Sequence, residues 1–311
     1  MTYDQHFDNL TPPRGVVDVV LDTDAYNEID DQYAISYLIG YPDKICLKGL
    51  TAAPFYNQHS ESPEDGMEKS YDEIMKLLDL MKREDLKEIV YKGSRSYLPD
   101  ENTPVESEAA DFIAALANDY SPEHPLYIVA IGAITNVASA ILKNPKIKEN
   151  CVVVWGCGHT MLTPRAASEF NMQQDIAGAR ILFECGVPLI QLPAEGVVEK
   201  FATTGPELTY WLKGQNSVCD YLVDNTVKEA ESYAAGKPWS RPIWDVVAVA
   251  WLLNDGDRFM VGHIVHAPVP EYDKHMAIDE RRPFIRVVRQ IDRDELMEDL
   301  FRVLREAYAG L

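Results

Sequence analysis

Residues 19–36, VVLDTDAYNEIDDQYAIS, run from an apolar β-branched segment through Asp22, Asp24, Glu28, Asp30 and Asp31 into a second apolar segment. The first half has the composition of a buried strand. The second reads as a helix start, with Asp30 and Asp31 in a first turn where carboxylates suit the helix dipole. Alternate strand residues share a face, so Asp22 and Asp24 point to one side, and the Asp30-Asp31 turn can aim a carboxylate back toward them. Carboxylates packed this closely repel, and a hard cation relieves the repulsion. Calcium takes about six to eight oxygens and magnesium about six, so clustered Asp without His or Cys favours these ions over zinc. One such Asp alone would be an ordinary N-cap or a solvated loop charge, but four together are not. An EF-hand is excluded, because its sixth loop position is Asn27 where Gly is needed and its twelfth is Tyr33 where Glu is needed.

Outward from this stretch, short apolar runs alternate with amphipathic ones. Strands are expected at 16–22, 45–52, 88–93, 126–132, 151–158 and 187–193, several of them apolar on both faces, with helices at 30–39, 66–82, 106–117, 134–142 and 176–184. The alternation predicts an α/β fold: a mostly parallel central β-sheet flanked by helices, a Rossmann-like open sheet with functional loops at the strand C-termini. From about Thr204 the pattern turns helical (206–212, 218–233, 245–253), followed by a hairpin within 275–290 and a closing helix at 293–308. This last third is expected to pack on the sheet and complete the site, within a single domain of residues 1–311. The apolar face of the closing helix is assigned to the protein's own core rather than to an oligomer contact. The tryptophans Trp155, Trp239 and Trp251 are read as core or interface aromatics.

Composition narrows the function. A chain of 311 residues with 46% hydrophobic content can bury a large core, and a formal net charge of -21 disfavours nucleic acid and anionic membranes as partners. A small-molecule substrate is expected. The opening MTYDQHFDNLTPPRG lacks the apolar core and basic flank of a secretory leader, and no run is long enough to span a membrane. Five scattered cysteines, an odd number, argue against a disulfide framework and for a reducing cytoplasm.

Four segments in order carry a resemblance. Asp22-Thr23-Asp24 with Asp30-Asp31, AIGAITNVASAIL (130–142), SEFNMQQDIAGARILFECGVPL (168–189) and IWDVVAVAWLL (243–253) together resemble the nucleoside hydrolase family of inosine-uridine-preferring type. The resemblance implies a calcium ion held by Asp24, Asp31, Asp245 and the main-chain carbonyl of Ile131. It implies ribose contacts from Asp30, Glu169 and Asn171, and from Asn57, which matches a family Asn after the second strand. The implied reaction is hydrolysis of the N-glycosidic bond of a ribonucleoside or related ribosyl compound. Carboxylates around the sugar stabilise an oxocarbenium-like transition state, calcium orients and acidifies a water, and Asp24 takes its proton. A homodimer or homotetramer is expected.

The chain also departs from the family pattern. Five residues, AYNEI, separate the Asp pairs where the family has three, so Tyr26, Asn27 and Glu28 reshape the sugar end of the pocket. Trp244 stands where a His commonly assists the departing base, Thr163 replaces an Asn, and SYLPDENTPVESEA (96–109) replaces a His-Gly segment. His159, after a strand end, is a candidate replacement acid, although a lone loop His is commonly structural. Two alternatives stand beside the hydrolase reading. One is a ribosyl-binding protein, or a hydrolase of another ribosyl compound, on the same scaffold. The other is a magnesium-dependent phosphatase of haloacid-dehalogenase type with Asp22 as nucleophile.

Overall fold

The computed structural model describes residues 1–311. Eight strands form one sheet. The first six are β1 (Val17–Thr23), β2 (Ile45–Ala52), β3 (Val90–Tyr91), β4 (Leu126–Ala130), β5 (Cys151–Gly156) and β6 (Leu189–Leu192), and they lie side by side in the order β3-β2-β1-β4-β5-β6, all parallel. The expected α/β class is therefore the observed one. β1 alternates its side chains between two apolar layers, Val19 and Leu21 toward one and Val20 toward the other, as a strand covered on both faces must.

Strand order reverses at β1, whose neighbours are β2 and β4. At such a switch point the connections leave to opposite faces and open a crevice at the strand C-termini. Asp22 sits at that end, in register with Thr51 on β2 and Ala130 on β4. Helices α1 (Tyr3–Asn9), α2 (Asp30–Ile39), α3 (Pro63–Leu80), α4 (Glu108–Leu116) and α5 (Thr135–Lys143) occupy the first half of the chain. α3 starts three residues before the expected Gly66 because the Ser62 side chain caps it and Pro63 suits its first position. α1, absent from the sequence reading, is closed by a capping box in which Thr2 and Gln5 exchange hydrogen bonds.

The C-terminal third contributes both helices and sheet. The expected hairpin within 275–290 is corrected. Its second strand, Phe284–Ile291, pairs antiparallel with Met260–His266 and parallel with β6, so both join the main sheet, and only a two-residue ladder forms between Val269–Pro270 and Met276–Ala277. The helix Val246–Trp251 packs on α2, which brings Asp245 to Asp30 and Asp31. Leu296, Leu300 and Leu304 of the closing helix, Arg293–Glu306, are buried in the same apolar layer as α2, so that face is spent inside this chain. No helix is long and apolar enough to cross a membrane.

Candidate active site

The chemistry gathers at the switch point. Asp22 accepts hydrogen bonds from the Thr51 hydroxyl (2.6 Å) and Asn136 Nδ2 (2.8 Å), and Asn136 is itself fixed by the Ser94 amide (2.8 Å). This carboxylate is fully buried and ties β1 to β2 and α5. Both bonds fall on Oδ1, and Oδ2 is buried without a partner. Asp24, two residues on, is 1% exposed, and neither of its carboxylate oxygens has a hydrogen-bond partner. It lies against Gly132, where an added Cβ would sit 3.0 Å from its Cγ.

α2 supplies the next two carboxylates. Its N-cap position is Ile29, which offers no capping side chain, so the helix start is left to Asp30 and Asp31. Asp31 accepts from the Thr23 hydroxyl, and Asp30 Oδ2 accepts from the Trp244 amide (3.1 Å). Asp30 Oδ1 is buried without a hydrogen bond, 3.7 Å from the Arg241 guanidinium. Asp30, Asp31 and Asp245 each place a carboxylate oxygen within 4.8 Å of the other two. The tightest trio thus contains Asp30 where the family resemblance implies Asp24, and Asp24 raises the charge on the same cluster from the side.

Burial raises every one of these carboxyls. Desolvation lifts Asp22 to about 6 and Asp31 to about 7, and it holds Asp24, Asp30 and Asp245 well above the ordinary range, with the neighbouring carboxylates adding to the rise. Orphaned, mutually repelling oxygens buried together are a poor arrangement for a bare protein and a good one for a hard cation. The donors are all oxygen, with no Cys or His among them, which fits calcium or magnesium and not zinc. The Ile131 carbonyl belongs to the same place: it precedes Gly132 and accepts from Asn171 Nδ2 at 3.2 Å.

A cavity of about 230 Å³ opens above this cluster, lined by Asp30, Ile131, Glu169, Asn171, Trp244 and Asp245 among others, and by His159. Glu169 caps the short helix Phe170–Gln174. Its Oε1 accepts from the Asn171 amide (2.8 Å) and its Oε2 from the amides of Gly158 (2.9 Å) and Met172 (3.0 Å), while burial lifts its pKa to about 7. Asn171 Nδ2 also reaches the Gly156 carbonyl at 3.0 Å. His159 Nδ1 accepts from the Glu195 amide (3.2 Å), which leaves the proton of the neutral ring on Nε2, and burial lowers its pKa. Asn57 is not on the cavity wall; its Nδ2 donates to Asn27 Oδ1 instead, and Asn27 lines the cavity. A larger polar hollow of about 870 Å³ lies at the opposite, N-terminal end of the strands and contains no member of the aspartate cluster.

Sequence reasoning missed the ion pair that closes one wall. Arg241 Nη2 lies 2.5 Å from Glu28 Oε2 and 3.5 Å from Glu229 Oε1 while facing Asp30. Glu28 comes from the five-residue AYNEI segment and Arg241 from a stretch 213 residues later, so no local pattern could join them. It also missed Gln174, whose Oε1 accepts from the Tyr97 hydroxyl and the Tyr56 amide and so fixes the 96–109 segment beside the site.

Known proteins place this architecture. The profile described as inosine-uridine preferring nucleoside hydrolase matches residues 19–298. The fold is similar to the purine-preferring ribonucleoside hydrolase of Gardnerella vaginalis (TM-score 0.74, 21% identity, 94% of this chain and 99% of that one). It is similar also to the plant nucleoside hydrolase PpNRh1 (TM-score 0.74, 18% identity, 96% and 100%). Among curated relatives, the pyrimidine-specific ribonucleoside hydrolase RihA of Citrobacter koseri is 27% identical over 146 residues, 43% of this chain and 44% of that protein. A probable uridine nucleosidase 2 of Arabidopsis thaliana is 29% identical over 101 residues, 32% of this chain and 31% of that protein. The matched stretches span less than half the length of these curated relatives. With the switch-point aspartates in place and the family profile running through most of the sequence, the chain belongs to the inosine-uridine preferring nucleoside hydrolase family.

Proposed function

We propose that the chain is a calcium-dependent N-glycosyl hydrolase that converts a ribonucleoside or related ribosyl compound to ribose and free base. The observation that carries this is the buried group of Asp24, Asp30, Asp31 and Asp245, with orphaned oxygens on Asp24 and Asp30, beneath a cavity of about 230 Å³. Asp24, Asp31, Asp245 and the Ile131 carbonyl would hold the cation, which when bound polarises a water toward ionisation. Asp30, pinned by the Trp244 amide, and Asn171 and Glu169, pinned by backbone groups, take the ribose hydroxyls. Each is held before substrate arrives, so little reorganisation is needed.

As the glycosidic bond breaks, positive charge grows on the sugar ring, and the carboxylates below it stabilise that charge. Asp24, whose oxygens have no protein partner, takes the proton of the attacking water. Asn57 acts at one remove, by fixing Asn27. The five unpaired cysteines accord with a reducing cytoplasm, and a homodimer or homotetramer is our working assembly.

Incubation of the purified protein with a nitrophenyl riboside, with and without chelator, tests the reading by release of free ribose. Ribose formed only with calcium supports it. Tight ribosyl binding without release would favour the alternative, a binding protein on this scaffold.

A further inference from the structure

One short segment addresses both oxygens of Asp30. Trp244 donates its amide to Asp30 Oδ2 (3.1 Å), and Arg241, three residues earlier, sets its guanidinium 3.7 Å from Oδ1, which has no hydrogen bond. The backbone at Arg241–Pro242 is fixed by antiparallel pairing with Ala202–Thr203. Asp245 closes the same segment, so the groups that restrain Asp30 arrive together with a carboxylate of the cation cluster. Arg241 is the one cation in ion-pair contact with Glu28, Asp30 or Glu229, and its side chain is only 12% exposed, so water screens these contacts little.

Without that restraint Asp30 is free to join the cation. A carboxylate oxygen of Asp30 already lies within 4.8 Å of oxygens on Asp31 and Asp245. Calcium–oxygen bonds of about 2.3–2.6 Å let one ion bridge oxygens that far apart. Charge and reach therefore favour Asp30 as a cation ligand, at the expense of any hydroxyl it would otherwise bind. The guanidinium opposes this by attracting Oδ1. A purely structural clasp would satisfy its own donors and acceptors, but Arg241 Nε and Glu229 Oε2 are buried without partners. What the network does fix is where Asp30 and Glu28 stand around one guanidinium.

Resting on the hydrolase reading above, we infer that Arg241 is a positioning residue, which withholds Asp30 from the cation and keeps that carboxylate for the ribose hydroxyls. Arg241 is not on the cavity wall, so it acts through Asp30 and not on the sugar itself. Glu28 anchors the guanidinium at 2.5 Å, and Glu28 belongs to AYNEI, the segment between the two Asp pairs. The segment that reshapes the sugar end thus also supplies the anchor for the residue that restrains Asp30. The assignment reconciles the tight trio of Asp30, Asp31 and Asp245 with a sugar role for Asp30.

The test replaces both members of the anchoring pair at once. Glu28→Gln combined with Arg241→Met removes one charge of each sign, so the net charge is unchanged and neither partner is left buried against a missing one. Calcium binding is read by titration calorimetry without substrate, and KM and kcat with a nitrophenyl riboside. In the double variant Asp30 should turn to the ion, and the calcium Kd should fall by about tenfold, the scale of one added carboxylate ligand. KM should rise by about tenfold with a smaller change in kcat, whereas general damage to the site would weaken calcium binding and slow turnover together. Introduced into Asp30→Asn protein, the same two substitutions should leave the calcium Kd unchanged, because the added ligand is gone. Should the double variant fail to fold, Glu28→Gln alone decides: released from its anchor, Arg241 closes on Asp30, and the calcium Kd should rise by about threefold. A calcium Kd unchanged or raised in the double variant, a fall that persists in the Asp30→Asn protein, or no rise in Glu28→Gln would overturn this inference while cleavage by wild type upholds the hydrolase reading. Wild type that cleaves no riboside would overturn the hydrolase reading, and the sugar role of Asp30 with it.

Discussion

Asp24→Asn should raise stability in chelator and lose that advantage in calcium. In wild type without calcium, Asp24 is buried with both oxygens unpartnered beside Asp30 and Asp31. Charged or protonated, it costs folding free energy relative to the solvated carboxylate of the unfolded chain. An uncompensated buried charge costs about 3–5 kcal/mol and an unsatisfied amide about 1–3 kcal/mol, so the Asn variant should gain about 2 kcal/mol in chelator. Unfolding entropy of about 2.1 cal/mol/K per residue makes about 0.65 kcal/mol/K for a chain of 311 residues, so the gain is about 3 °C in Tm. Calcium at about a hundredfold its Kd adds about 2.7 kcal/mol to wild type, or about 4 °C. The variant, short of a ligand, should gain about 1 °C or less. Scanning calorimetry in EGTA and in calcium would then show the variant above wild type in the first and level with it or below it in the second. Equal calcium shifts in both proteins, or a variant destabilised in chelator, would refute this reasoning.

Other perturbations separate the roles of neighbouring groups. Asp24→Ala should lower turnover of any accepted riboside by several orders of magnitude, whereas Asp30→Ala should act chiefly through KM, by about a hundredfold; steady-state kinetics on one substrate distinguishes them. Gly132→Ala should weaken calcium binding by about tenfold, read by titration calorimetry, because the new Cβ would meet Asp24 Cγ at 3.0 Å and Ala53 Cβ at 3.0 Å. Asp299 accepts from Tyr37 (2.6 Å), Tyr41 and Arg302 (2.8 Å), and despite the upward push of burial these donors hold its carboxyl below the ordinary range. A lowered folded pKa means that its stabilisation is present above the unfolded value of about 3.9 and is lost as pH falls through the folded one. Asp299→Asn should therefore lower stability at pH 7 by about 2 kcal/mol and flatten the loss between pH 4 and the acid limit, measured by urea melts.

The parallel half of the sheet and the aspartates at its switch point were legible because their signals are local. Val19, Val20 and Leu21 are apolar on both faces, and the acidic turn follows at once. Asp245 was legible only through its likeness to a family motif, since nothing local in IWDVVAVAW says which helix it will meet; packing of Val246–Trp251 on α2 decides that. The strand Met260–His266 was not read, because a seven-residue stretch with Gly262 and two histidines at its exposed edge has weak alternation, and its pairing with Phe284–Ile291 crosses an irregular segment. Position after β2 points Asn57 to the sugar, whereas the hydrogen bond its amide donates to Asn27, in the AYNEI segment, has no local sequence signal. The Arg241–Glu28 pair likewise depends on where that segment folds, which no spacing rule supplies.

The most direct test of the central claim is a stoichiometric product analysis on a riboside with a good leaving group. Nitrophenyl riboside is incubated with calcium-loaded protein, and nitrophenol and free ribose are quantified together, in wild type and Asp24→Ala. The account predicts one ribose for each nitrophenol, dependent on calcium and reduced by several orders of magnitude in the variant. Release of nitrophenol without ribose, or equal ribose release by the Asp24→Ala protein, would contradict it.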